Sequence, residues 1–189
     1  MEMNKYIQTR SGVCFDLEDP QPSQVRLTDI CYALNNIQRF TGHGAMSWSV
    51  AEHSMFVESI GERLGFNNEE LLCCLLHDAT EAYVGDLSSP LKSLCPGYQA
   101  IEAGVWRAIA TFFGLPDKLP DKVKQADKLA LLAEAPVLLG ELKGPGWPTT
   151  TLGIPTFPPT IRTQSFYERV KERMYLRDST GTFSSIVLT

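Results

Sequence analysis

The stretch Asn67-Asn-Glu-Glu-Leu-Leu-Cys-Cys-Leu-Leu-His77-Asp78-Ala-Thr-Glu81-Ala-Tyr83-Val-Gly85 decides the fold. An asparagine followed by two acids marks a helix start. The amide can cap orphan backbone N–H groups, and the carboxylates suit the positive end of the helix dipole. Gly85 marks the stop. From Leu71 to Leu76 the apolar side chains cover every side, so a helix from Asn67 to about Tyr83 is a central, buried one. Such a helix needs other helices around it. Yet it also carries His77, Asp78 and Glu81, which at helical pitch share one arc of about 100°.

Working outward, the flanking sequence supplies those helices. Towards the N-terminus, Trp48–Leu64 predicts a helix capped by Ser47 or Ser49, with an inward stripe of Val50, Val57, Ile60 and Leu64 that takes in His53. Arg39-Phe40-Thr41-Gly42-His43-Gly44 reads as a loop, and Leu27–Gln38 as a first helix. Tyr6–Arg10 and Val13–Leu17 flank Ser11-Gly12, the pattern of a short β-hairpin. Towards the C-terminus, Pro90 and Pro96 bracket a short segment, and Tyr98–Phe113 predicts a helix ending at Gly114. Asp121–Leu139 follows, with Val123, Ala126, Ala130, Ala133 and Val137 inward, Asp127 beside them, and Pro136 expected to kink or end it. The segment 140–160 holds four glycines and five prolines and is long enough to predict a functional loop or lid, in which Trp147 could close over the site or pack at a subunit contact. Ser165–Arg177 is amphipathic, with Phe166, Val170, Met174 and Tyr175 apolar, and Phe183–Leu188 is β-like and could pair with the hairpin. The expected fold class is all-α with a small N-terminal β-hairpin: one domain over 1–189, its core spanning about 27–139.

Composition narrows the function. The 189 residues carry 43% hydrophobic and 21% charged residues, the balance of a globular domain. A net charge of −5 argues against a general nucleic-acid binder. No apolar run is long enough for a membrane span and no basic-then-apolar leader opens the chain, so a cytoplasmic protein is expected. The five cysteines, at 14, 31, 73, 74 and 95, contain no CxxC pair, which excludes a zinc ribbon and fits free thiols in a reducing compartment. With only three histidines, at 43, 53 and 77, any histidine-based site must use nearly all of them.

A carboxylate buried in the most apolar helix of the chain is costly without a partner, and a divalent cation is a natural one. His77 and Asp78 project about 100° apart and can both reach an ion lying between them. His53 and Asp127, on or beside other inward stripes, complete two imidazoles and two carboxylates. That mixed set suits one divalent ion: Mn²⁺, Fe²⁺, Co²⁺, Mg²⁺ or Zn²⁺. No single spacing carries this reading; the combination does.

Three strings in order extend it: Ser49-Val-Ala-Glu-His53-Ser54, then His77-Asp-Ala-Thr-Glu-Ala-Tyr-Val-Gly-Asp-Leu-Ser-Ser-Pro-Leu-Lys92, then Lys124-Gln-Ala-Asp127. Together they resemble the HD-domain metal-dependent phosphohydrolases, and more closely the bacterial HD-domain 5′-deoxynucleotidases and their phage or prophage relatives. The resemblance spans roughly Ile30 to Leu139. It implies an all-α HD-domain bundle, commonly a homo-oligomer, with His53, His77, Asp78 and Asp127 as metal ligands. It implies that Glu81 positions or activates the attacking water and that Asp86 reads the sugar beside its 3′-hydroxyl, disfavouring a ribose. Arg39-Phe40 matches an arginine–aromatic pair that contacts phosphate and sugar or base, with Phe where the best-known branch has Trp.

Lys92 and, less directly, Lys128 could extend an anion pocket, and His43 could touch phosphate. Trp48 reads as a packing residue. The expected activity is cleavage of the 5′ phosphoester of a deoxynucleotide. Phosphate would leave a monophosphate, and triphosphate would leave a substrate such as dATP, because phage members of this superfamily include dATP triphosphohydrolases. The competing readings are a nucleotide- or metal-binding regulatory module without turnover, and a cyclic-nucleotide or ppGpp hydrolase.

Overall fold

The computed structural model describes residues 5–151, 153–157 and 165–179. The fold is all-α with a two-stranded antiparallel hairpin at its N-terminal end. Strands β1 (Tyr6–Gln8) and β2 (Cys14–Asp16) pair with Ile7 opposite Phe15, and Gly12 supplies the left-handed turn at φ +87°. Ser11 fastens the hairpin tip to α1 (Leu27–Asn36): its N–H and its hydroxyl donate to the Asp29 carboxylate at 2.8 and 2.6 Å. Phe15 is fully buried and stacks on Tyr83 with ring centroids 3.9 Å apart. The core therefore reaches beyond 27–139 and takes in Phe15, Phe166 and Val170.

Helix α2 (Val50–Arg63) starts at Ser49, whose hydroxyl accepts from the Glu52 N–H while the Glu52 carboxylate accepts from the Ser49 N–H. Helix α3 (Asn68–Leu76) opens on the same reciprocal arrangement between Asn67 and Glu70. Each box satisfies two donors that a bare helix start would leave orphaned. Leu71 to Leu76 are all buried, as an all-round apolar helix requires. Helix α2 packs on α3 and on α7 (Asp121–Leu139), and α8 (Phe166–Ser179) lies across α3.

Several expectations are corrected. The single helix from Asn67 to Tyr83 is two helices: α3 ends at Leu76 and α4 spans Glu81–Val84. His77 Nδ1 donates to the Cys74 carbonyl at 2.8 Å, taking an acceptor that an α-helical N–H would otherwise use. The chain then tightens, with Ala79 and Glu81 N–H bonded three residues back, to Leu76 and Asp78. Between Pro90 and Pro96 lies a short helix, α5 (Ser89–Leu94), and α6 starts at Pro96 rather than Tyr98, running to Phe113. Pro136 does not end α7, which runs on to Leu139; having no N–H, it costs the helix the bond to the Leu132 carbonyl, and α7 stops within one turn of it. Leu64, Val137 and Tyr175 are exposed, while Leu138 and Glu134 point inward. The described part of 140–160 contains no helix or strand, and its Phe157 packs on Trp48 with centroids 4.7 Å apart. Phe183–Leu188 lies outside the described residues.

The α8 contact has a polar centre. Glu58 of α2 is buried and its carboxylate accepts from Arg169 and from Arg173 Nε, the latter at 2.7 Å, while Arg173 also pairs with Glu62. Removing one partner of such a buried pair leaves uncompensated charge. Glu58→Ala is therefore expected to lower stability by about 3 kcal/mol in urea unfolding. A loss below about 1 kcal/mol, the level of a surface ion pair, would contradict this.

Candidate metal centre

Three helices and one turn bring the site together. His53 lies one turn into α2, His77 closes α3, Asp78 follows it in the tight turn, and Asp127 lies in the second turn of α7. A ligand atom from each of His53, His77 and Asp127 falls within 4.8 Å of the other two, and this group could hold a metal ion. The two imidazole rings tilt at 56° with centroids 5.3 Å apart. His53 Nε2 is 3.1 Å from Asp127 Oδ1 and 3.7 Å from Asp78 Oδ2. His77 Nε2 is 3.2 Å from Asp78 Oδ2 and 3.8 Å from Asp127 Oδ1.

The outer nitrogens fix the tautomers. His77 Nδ1 faces a carbonyl, which can only accept, so this nitrogen carries the hydrogen. His53 Nδ1 likewise donates, to Glu134 Oε1 at 2.7 Å. Both Nε2 lone pairs are thereby turned towards the carboxylates. His77 Nε2 is buried without hydrogen-bond alignment to any partner among the described residues. Lone pairs facing carboxylate oxygens repel unless a positive charge lies between them. That orphaned nitrogen and the N/O donor set fit a divalent cation.

The electrostatics agree. Burial opposes charge on His77, but Asp78 and Asp127 outweigh it and hold its pKa well above the usual value. His53 is raised too, against burial and Arg39, by Glu134 and Asp127. Burial works to raise both aspartates, yet the histidines pull Asp78 down to about 2 and Asp127 well below its ordinary range. The cluster therefore favours positive charge between its carboxylates, on the imidazoles or on a cation.

Around this cluster, Glu81 is buried, and its Oε2 has no hydrogen-bond partner among the described residues. Burial and the Asp78 and Asp86 carboxylates push its pKa well above the usual range. Asp86 is half-buried just past Gly85, and its pKa is raised by burial and by Asp78 against the pull of Arg39 and Lys92. Arg39 points inward: Nη1 lies 3.7 Å from Asp78 and Nη2 donates to Glu134 at 3.3 Å. It sits on a turn where Phe40 and Thr41 both hold φ +55°, a strained conformation for residues with a Cβ. The turn is pinned at its neck by Arg39 N–H to the Trp48 carbonyl at 2.9 Å and by the Gln38–Ser49 bridge.

Other expected site residues stand further out. Phe40 is half-buried with the Arg39 guanidinium 5.5 Å from its ring. His43 is exposed, and none of the cluster's hydrogen bonds or ion pairs among the described residues runs to its ring. Lys92 donates to Glu102 at 2.7 Å, and Lys128 is exposed. The sequence reading missed Glu134. It lies seven residues after Asp127, two full turns along the same face of α7, which was the available signal. Trp48 is buried and donates from its indole to Glu134 at 3.0 Å, consistent with packing rather than base stacking.

No protein-family model matches the chain. It is similar to the uncharacterized protein YfdR of Escherichia coli (strain K12), 36% identical over 151 residues that cover 79% of this chain and 80% of that protein. It is also similar to an uncharacterized protein of Rhodobacter capsulatus, 38% identical over 125 residues, 64% of each chain. Among the described residues no helix is long and apolar enough to cross a membrane.

The carboxylates raise both imidazole pKa values, so a metal competes with protons for the two Nε2 atoms. Mn²⁺ binding at neutral pH is expected to release protons, read by calorimetry in buffers of different ionisation enthalpy. Affinity should rise from about pH 6 to about pH 8 as proton competition falls. Asp127→Ala should hold no stoichiometric metal. Proton-neutral, pH-independent binding, or full occupancy in that variant, would contradict the assignment.

Proposed function

The chain belongs to the same family as Escherichia coli YfdR, and we propose that it is a metal-dependent phosphohydrolase of the HD type that converts deoxynucleoside monophosphates to deoxynucleoside and phosphate. One observation carries this reading: ligand atoms of His53, His77 and Asp127 lie within 4.8 Å of one another, with the Asp78 carboxylate 3.2 Å from His77 Nε2 and the unpartnered carboxyl oxygen of Glu81 buried in the same electrostatic neighbourhood. A divalent ion bound there would withdraw charge from a phosphoryl oxygen and lower the pKa of a water.

The chain's own residues divide the remaining work. His53, His77, Asp78 and Asp127 form the ligand set. Glu81 is the group that can orient the attacking water and take its proton, because its carboxyl binds a proton far more readily than an ordinary glutamate. A binding module without turnover has no need of such an acid, which favours an enzyme. Arg39 faces the cluster and can meet phosphate with its planar donors. Asp86, within electrostatic reach of Arg39 and Lys92, is the group for a sugar hydroxyl.

Charge supports a monophosphate over a triphosphate. Arg39 already faces Asp78 and Glu134, and Lys92 pairs with Glu102. In the glycine- and proline-rich segment Lys143 lies 3.7 Å from Glu141, both exposed. A phosphate monoester brings about two negative charges near neutrality. A triphosphate brings more, while Arg39 and Lys92 are already engaged by carboxylates and Lys128 is exposed to solvent.

Incubating Mn²⁺-loaded protein with dAMP, AMP and dATP, and resolving the products, is expected to give deoxyadenosine and phosphate from dAMP, less product from AMP, and little from dATP. Release of nucleoside from none of them would contradict the reading, and tripolyphosphate as the main product would move it to a triphosphohydrolase. Glu81→Gln is expected to keep stoichiometric Mn²⁺ and to lose about a hundredfold or more in kcat. Undiminished turnover would remove Glu81 from its role.

A further inference from the structure

Glu134 is a carboxylate with no exposure to solvent, on the face of α7 that also carries Asp127. Three donors from separate places in the chain end on it. His53 Nδ1 reaches Oε1 at 2.7 Å, the Trp48 indole reaches the same oxygen at 3.0 Å, and Arg39 Nη2 reaches Oε2 at 3.3 Å. All three groups face the carboxylate with N–H donors, an arrangement that matches it as an acceptor on both oxygens.

A buried charge is an expensive way to hold helices together, since a well-packed apolar or neutral side chain of the same size does it at lower cost. The position of this charge gives it another use. Through Oε1 it holds the hydrogen of His53 on Nδ1, which leaves the Nε2 lone pair facing Asp127 and Asp78. Through Oε2 it holds the arginine that faces Asp78. We propose that Glu134 is a positioning residue that orients His53 for the cation and Arg39 for the phosphate at once, joining metal affinity to substrate affinity. Its effect on metal affinity needs only the cation site. Its effect on turnover rests on the phosphohydrolase reading above.

The test uses the full chain and Mn²⁺ as the probe. Glu134→Gln keeps the shape and one acceptor oxygen, but removes the charge and sets an N–H₂ group against the Arg39 donors. It is expected to melt near the wild-type temperature in EDTA and to bind Mn²⁺ about 10- to 100-fold more weakly. It should raise KM for dAMP in the wild-type background but not in Arg39→Ala, because the effect on substrate runs through that arginine. Wild-type Mn²⁺ affinity in Glu134→Gln, or equal KM effects in both backgrounds, would overturn the proposal.

Two further variants keep it decidable if Glu134→Gln folds poorly. Glu134→Asp retains the charge and is expected to recover part of the Mn²⁺ affinity. Trp48→Phe removes the donor that touches neither cation nor phosphate and is expected to bind Mn²⁺ as the wild type does. A loss in Trp48→Phe as large as in Glu134→Gln would show that packing sets the affinity and would overturn the role. Wild-type protein that binds Mn²⁺ yet hydrolyses no deoxynucleotide would remove the proposed function, while the Mn²⁺ comparison would still decide whether Glu134 governs His53.

Discussion

Two imidazole nitrogens face two carboxylates inside a helical bundle, and their lone pairs point at one another. That arrangement cannot persist without positive charge at its centre. The carboxylates favour protons on His53 and His77, and a divalent cation can supply the charge in their place while serving all the donors at once. The surrounding structure is arranged around this constraint. The Cys74 carbonyl holds the outer nitrogen of His77, and Glu134 holds that of His53. Neither ring can turn its inner nitrogen away without breaking a buried hydrogen bond.

The bundle packing places these groups with little freedom. Helix α2 lies between α3 and α7, so the three elements that supply His53, His77 and Asp127 are packed directly on one another. The capping boxes at Ser49 and Asn67 set where α2 and α3 begin, and so set the register of both histidines. The price of this packing is a shortened α3: the side chain that binds outward to Cys74 also ends the α-helical ladder, and the tight turn after it brings Asp78 and Glu81 to the site. Strain at Phe40 and Thr41 is tolerated because both ends of their turn are pinned, and that turn delivers Arg39.

Much of this was legible in the sequence. Periodicity placed His53 on an inward stripe, and the apolar run of α3 made any polar residue within it conspicuous. What escaped depended on contacts distant in the chain. Glu134 reads as an ordinary charged helix residue, because nothing local shows that Trp48, His53 and Arg39 converge on it. The break after Leu76 depends on a side chain competing with the backbone for one carbonyl, which propensity does not register. The engagement of Lys92 by Glu102 turned an apparent free cation into a neutral pair. Val137 and Tyr175 fit apolar stripes in sequence, yet both turn away from the core while their neighbours Leu138 and Met174 pack in or on it.

One divalent cation is proposed to bind between His53 Nε2, His77 Nε2 and the Asp78 and Asp127 carboxylates. Anomalous diffraction from crystals of the Co²⁺-loaded protein, recorded on both sides of the cobalt edge, tests it most directly. A single peak at about 2.0–2.2 Å from both Nε2 atoms and from at least one of the carboxylates is the expected result. A peak elsewhere, or none between these four side chains in protein that retains stoichiometric cobalt, would contradict it.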